Sequence, residues 1–155
     1  MRLWNEIGLI EQSNVLLESP NRNLARGELI REWLVQNGSI CGDRLSVGVG
    51  VIWSTSNTRF EIGDNVTIGA YSVLNGGGTD GESVMSMLSI GNRTNIGSFF
   101  SIDSLTCRLI EVPSGPIATR IGNEATIGPR VTLEAGVTIT DGGNIIGGSI
   151  VRMDR

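Results

Sequence analysis

The sequence predicts an all-β protein with an N-terminal helical segment, and three observations predict it. Helical spacing of apolar residues is confined to the part before residue 38. Beyond that point an aliphatic residue returns every six positions. The composition suits short strands and tight corners, with 22 glycines and 5% aromatic residues in 155, and abundant Ile, Val and Thr.

The chain divides at residue 38, into a helical segment over 1–37 and a β domain over 38–155. Leu24, Leu29, Ile30, Trp33 and Leu34 fall close to helical spacing, with Arg26, Glu28, Arg31 and Glu32 assigned to the opposite side. The spacing predicts an amphipathic helix from about Asn23 to Gln36, anchored by Trp33. Asn37 and Gly38 stop it. Leu3 to Leu17 allows a shorter helix, with Pro20 separating the two.

The six-residue repeat shows first in Ile-Gly pairs: Ile62-Gly63 and Ile68-Gly69, Ile90-Gly91 and Ile96-Gly97, Ile121-Gly122 and Ile127-Gly128. Extending in sixes gives marks at Ile62, Ile68, Leu74; Ile90, Ile96, Ile102; Ile121, Ile127, Leu133; and Ile139, Ile145, Val151. A weaker set, Cys41, Val47 and Trp53, precedes them. Two residues before each mark the side chain is usually small, with Leu45, Phe60, Leu88 and Phe100 as exceptions. Two inward positions flanking one outward position are a strand's period, so six residues make one short strand and one corner.

The residue just before each mark points outward, and the triangular coil of three hexads found in left-handed parallel β-helices, which this repeat resembles, implies that these residues sort into three faces. Face one shows Ile40, Glu61, Ser89, Arg120 and Thr138. Face two is polar throughout: Ser46, Thr67, Asn95, Thr126 and Asn144. Face three is the most apolar: Ile52, Val73, Ser101, Thr132 and Ile150. Every excess over six residues falls after a third mark, so all long loops are expected at one corner, and face three is expected to be covered by a neighbour or by the helix.

Composition excludes several function classes. Twelve Lys plus Arg, all of them Arg, against sixteen Asp plus Glu give a net charge of −4, with no Lys and no His. No imidazole is available as base or metal ligand, and no lysine for a Schiff base. An acidic chain with scattered arginines predicts no nucleic-acid partner. No apolar run approaches a membrane span, and Glu6 and Glu11 interrupt the N-terminal stretch, so neither membrane nor secretion is expected. Two cysteines, Cys41 and Cys107, fit a cytoplasmic location better than a disulfide framework. Cys41 stands at an inward mark and reads as core. The GGGTDG segment reads as a loop, since it lacks the lysine and the strand-to-helix setting of a phosphate cradle.

The pattern [LIV]-[GAED]-x-x-[STAV]-x resembles the hexapeptide repeat of left-handed parallel β-helices, and the likeness covers about 41 to 151. It implies fifteen hexads in about five triangular coils of left-handed sense. The C-terminal part is similar to the last coils of hexapeptide acyltransferases, nearest the galactoside, maltose and chloramphenicol acetyltransferase group. Gly122, Gly128, Val131, Gly136-Val137-Thr138-Ile139, Asp141-Gly142, Ile146-Gly147 and Ser149-Ile150-Val151 carry this resemblance. It implies a homotrimer with acetyl-CoA or another acyl-CoA in a groove between subunits, and a small-molecule acceptor such as a sugar. The backbone near Gly128, Gly136 and Gly148 becomes a candidate pantetheine contact. Arg152, beside the position of the family's usual lysine, becomes a candidate for the CoA phosphate.

One departure bears on activity. The family's catalytic histidine belongs in the loop between Ile102 and Ile121, and Pro116-Ile117 preserves the loop's exit, yet no histidine is present. Asp103 and Cys107 stand near that place as candidate base and nucleophile. A zinc site of the γ-type carbonic anhydrase kind, with three histidines, is excluded, and no metal is expected. The function implied is an acyl-CoA-dependent O- or N-acyltransferase-like protein, atypical or degenerate for want of histidine. The alternative is a noncatalytic trimeric β-helix serving as a binding or assembly module.

Overall fold

The computed structural model describes residues 20–54, 58–75, 86–103 and 117–153. It opens with one helix, α1 (Pro20–Gln36). The helix starts at Pro20, three residues before the predicted start, so Pro20 belongs to it rather than preceding it. Proline suits a first helical position, because its φ is preset and its missing N–H would have no intrahelical partner there. The C-terminus closes on Gly38 at φ 86°. Ser39 N donates to Leu34 O at 3.0 Å and Gly38 N to Val35 O at 3.2 Å, the paired bonds of a Schellman turn. The stretch from Leu3 to Leu17 lies outside the described residues.

The buried face of α1 is Arg26, Ile30, Trp33 and Leu34. These positions follow the i, i+4, i+7, i+8 spacing of one helical stripe. Arg26 therefore corrects the sequence assignment to the polar side, being 1% exposed. Its Nη1 donates to Val47 O at 2.7 Å and to Asn23 Oδ1 at 2.9 Å. A guanidinium belongs on this face because it reaches backbone acceptors at the edge of the first coil. Arg31 Nε does the same to Gly42 O at 3.0 Å.

Among the described residues fifteen short strands follow α1, all paired in parallel. Face one stacks β1 (Ile40–Cys41), β4 (Thr58–Ile62), β7 (Ser86–Ile90), β10 (Ala118–Ile121) and β13 (Thr138–Ile139). Face two stacks β2 (Ser46–Val47), β5 (Thr67–Ile68), β8 (Asn95–Ile96), β11 (Thr126–Ile127) and β14 (Asn144–Ile145). Face three holds β3 (Ile52–Trp53) on β6 (Val73–Leu74), then β9 (Ser101–Asp103), β12 (Thr132–Glu134) and β15 (Ile150–Val151). Val73 N donates to Phe100 O at 2.8 Å and joins the two parts of this face. Successive strands thus enter successive sheets, which is the topology of a parallel β-helix.

The register agrees with the repeat. Ile40 pairs Glu61, Glu61 pairs Ser89, Ser89 pairs Arg120 and Arg120 pairs Thr138. Ser46, Thr67, Asn95, Thr126 and Asn144 line up on face two in the same way. The inward marks from Cys41 to Ile139 are buried in one core that includes Ile30, Trp33 and Leu34 of α1. Buried hydroxyls at the small inward positions find backbone partners: Thr94 Oγ1 donates to Gly122 O at 2.7 Å, and Phe60 N donates to Ser39 Oγ at 3.0 Å.

The corners explain the glycines. A Cβ on Gly91 would stand 2.5 Å from Asn123 N in the coil above, so the position after this mark admits only glycine. Three residues after a mark the backbone turns left-handed, at Arg44, Asn65, Arg93 and Glu124 on corner one (between faces one and two) and at Tyr71, Phe99 and Arg130 on corner two. Such a conformation costs a side-chain-bearing residue about 1–2 kcal/mol. Each upper coil offsets it with a bond to the coil below, as in Arg93 N to Asp64 O at 2.8 Å and Phe99 N to Ala70 O at 3.0 Å. Corner one adds a side-chain ladder, with Asp43 N, Asp64 N, Asn92 N and Asn123 N donating in turn to Asp64, Asn92, Asn123 and Asp141 Oδ1, at 2.7–2.8 Å.

Face three is not covered by α1, which packs against β1 and β2. Ile52 is 57% exposed and Ile150 62%. Among the described residues no helix is long and apolar enough to cross a membrane.

Candidate functional site

Corner three, between faces three and one, differs from the other two. At corner one the residue after the mark is Gly42, Gly63, Gly91 or Gly122 and, in the last coil, Thr140; at corner two it is Gly48, Gly69, Gly97 or Gly128 and, in the last coil, Ile146. At corner three it is Ser54, Asn75, Asp103, Glu134 or Arg152. A polar column therefore rises along one edge of the prism. The three long connections, between β3 and β4, β6 and β7, and β9 and β10, each join a strand of face three to a strand of face one.

Asp103 and Glu134 are the centre of the column. They are register partners on β9 and β12, so their side chains rise from adjacent strands on the same edge. Glu134 is 1% exposed, while Asp103 is half-buried. Glu134 Oε2 accepts from Met153 N at 3.2 Å, which ties the chain's last described turn to the column. Ala135 N donates to Asp103 O at 3.1 Å. Gly136 follows at φ 91°, and its N–H is held by Thr119 Oγ1 at 2.9 Å. Arg152 is exposed at the top.

The structure brings together some of the residues singled out from the sequence. Asp103, Gly136 and Arg152 share corner three with Glu134. Gly128 and Gly148 stand at corner two, on the far side of face three. Their N–H groups are engaged within the stack, Gly128 N with Ile145 O and Gly148 N with Pro129 O, both at 2.9 Å. Cys107 and Pro116 lie outside the described residues. Cys41 is a buried free thiol, and burial pushes it up to about 11, outweighing the pull of Arg31, so it is a protonated core side chain at neutral pH. Among the described residues no group of three or more Cys, Asp or Glu is arranged to hold a metal ion.

Glu134 is the residue that sequence reasoning missed. Its signal was available, since a carboxylate occupies a position that is glycine at eight other corners, but the repeat pattern tolerates an acid there.

Two further surface features frame the site. At corner two Tyr71 and Phe99 stack with ring centroids 5.5 Å apart, and Arg130 lies 5.6 Å over the Phe99 ring. A Cβ on Gly50 would strike Tyr71 at 2.5 Å, so the stack is closed at its lower end as well. Both outer ring faces are therefore occupied, and the column acts as a brace for the strained corner rather than as a platform for a ligand. On face one Ser89, Arg120, Thr138, Asn123 and Asp141 line an open groove of about 460 Å³.

No family model matches the chain, and no curated protein matches it. Among solved structures the chain is similar to serine acetyltransferase isoform 3 in complex with cysteine from Entamoeba histolytica, at 18% sequence identity and a TM-score of 0.52. The match covers 86% of this chain but 41% of that one, so this chain spans less than half the length of that structure. At this identity the likeness is one of fold: short parallel strands stacked in coils.

Proposed function

We propose that the protein is an acyl-CoA-dependent O- or N-acyltransferase of the hexapeptide-repeat kind, five left-handed coils tall, working at corner three without histidine. The observation that carries the reading is the polar column in which half-buried Asp103 stands beside buried Glu134, on a fold shared with an acetyltransferase. Asp103 is the candidate base. It takes the proton from an acceptor hydroxyl or amine as that atom attacks the acyl carbonyl, and the CoA thiolate leaves. Glu134, tied to Met153 N, positions the strand that carries the neighbouring backbone. With the N–H groups of Gly128, Gly136 and Gly148 already engaged, what these positions offer a pantetheine arm is carbonyl oxygen. An arm running across face three connects their two corners, with Arg152 placed for a phosphate.

A second reading is favoured by the bare apolar row on face three, where Ile52 and Ile150 are exposed. It makes the protein a noncatalytic trimeric module whose face three is the contact between copies. Calorimetry with acetyl-CoA, then a thiol-release assay over hydroxyl and amine acceptors, separates the readings. Binding with turnover that falls on Asp103→Asn supports the enzyme. Absence of binding at millimolar acetyl-CoA, with a trimer that Val73→Asp dissociates, supports the module.

A further inference from the structure

Of the fifteen residues in the three outward rows, two are charged, Glu61 and Arg120, and both stand on face one. Glu61 is paired, with Arg59 Nη2 at 3.8 Å from its Oε1. Arg31, Arg93 and Arg130 likewise have partners, in Asp43, in Glu124 and in the Phe99 ring. Arg120 is exposed, and among the described residues no hydrogen bond, ion pair or ring contact engages its guanidinium.

This guanidinium lies in the face-one groove of about 460 Å³. Its register partners, Ser89 on β7 and Thr138 on β13, put a hydroxyl on the strand to either side of it. Toward corner one the groove reaches Asn123 and Asp141. Asp141 Oδ1 accepts from Asn123 N at 2.8 Å, and Asn123 Oδ1 accepts from Asn92 N at 2.7 Å. The ladder thus uses one oxygen of each side chain and leaves the second carboxylate oxygen and the Asn123 amide Nδ2 available to a ligand. No ion pair joins Arg120 to Asp141, although both line the groove.

These groups select a ligand chemistry. A planar guanidinium matches a carboxylate through two parallel hydrogen bonds. Asp141 opposes a second negative charge, so a monoanion is preferred to a dianion such as a phosphate ester. The hydroxyls, the amide and the free carboxylate oxygen together offer donors and acceptors, which suits a body rich in hydroxyl groups. Three strands cover about 10 Å across the groove, more than a bare acetate fills. We propose that the face-one groove binds a small hydroxyl-bearing monocarboxylate about the size of one sugar ring, its carboxylate on Arg120 and its hydroxyls toward Asn123 and Asp141. The groove lies toward the edge of face one opposite corner three, and binding there requires no acyl donor.

Titration of the full chain with D-glucuronate, followed by the backbone amide signals in NMR, tests the proposal. Glucuronate should shift the amides of Ser89, Arg120, Asn123 and Thr138. D-Glucose, which lacks the carboxylate, should bind about 10- to 100-fold more weakly. Arg120→Met should bring glucuronate down to the glucose level with circular dichroism unchanged, because the side chain is exposed. Arg44→Met removes another exposed arginine, outside the groove, and should leave the affinity in place. Absence of amide shifts at high millimolar glucuronate overturns the proposal. So does equal binding of glucose and glucuronate, or an equal loss in Arg44→Met, which would show a general charge effect. No acyl donor enters the titration, so its outcome is separate from that of the thiol-release assay.

Discussion

Asp103 and Glu134 stand in register on adjacent parallel strands, one carboxylate half-buried and the other buried outright. Their different burial separates their roles. In the proposed reaction Asp103 is the group that meets the substrate, whereas Glu134 accepts Met153 N and holds the C-terminal turn against β12. Asp103→Asn should lower thiol release by about 10²–10⁴-fold and leave the melting temperature in place. Glu134→Ala should lose about 1–3 kcal/mol of stability, because Met153 N loses its acceptor and the buried side chain its packing. Thermal melts and a thiol-release assay on the two variants check the split.

Arg26 is the corresponding test at the other end of the molecule. Its guanidinium is buried and bonds Val47 O on the edge strand β2. Arg26→Met preserves much of the packing stem but removes the donor, and should cost about 1.5–3 kcal/mol in urea unfolding. Arg31→Met should cost less, since Arg31 is partly exposed and its ion pairs with Glu28 and Asp43 are surface pairs.

How much of this was legible beforehand differs from residue to residue. The three outward rows followed from the repeat, because a strand's period of two and a coil's period of three hexads leave no freedom in register. Arg26 was misplaced because polarity alone put it opposite Leu29 and Ile30, while the helical stripe and the carbonyls of the first coil's edge put it inside. Pro20 reads in the sequence as a separator, though proline is as much a helix opener as a helix breaker. Glu134 went unnoticed because a repeat pattern that accepts acids at the corner says nothing of burial. Whether α1 or a neighbour covers face three depended on the path of the chain at Gly38, which no periodicity encodes.

The corner glycines divide into two kinds that a pair of substitutions can distinguish. Gly91→Ala places a Cβ 2.5 Å from Asn123 N, and this backbone atom, held by Asp141 Oδ1 in the ladder, has little room to yield. It should destabilise by about 1–3 kcal/mol or more through overpacking. Gly142 has nothing within 4 Å of its Cβ position but sits at φ 69°. Gly142→Ala should therefore cost only the left-handed conformation, about 1–2 kcal/mol. Denaturant midpoints of the two variants, with Asn92→Ala as a control for the ladder, test this ordering.

Cys41 supplies a pH test of the first coil. Its thiol is raised from 9.0 to about 11, with burial as the main cause and Arg31 only partly offsetting it. Below pH 9 the thiol is protonated in both the folded and unfolded chains and contributes no pH dependence. Between about 9 and 11 the unfolded chain releases this proton while the folded chain keeps it. The unfolded state then binds fewer protons, so stability falls as pH rises through that window and levels off above it. Replacing the thiol by a side chain that cannot ionise, as in Cys41→Val, should flatten this part of the stability profile. Urea unfolding of both proteins from pH 8 to 11 gives the difference directly, since the other titrating groups are common to the two. A thiol reagent adds an independent readout: at pH 8 it should label Cys41 in the native protein far more slowly than in urea, because the reactive thiolate is scarce and α1 covers the coil that carries it.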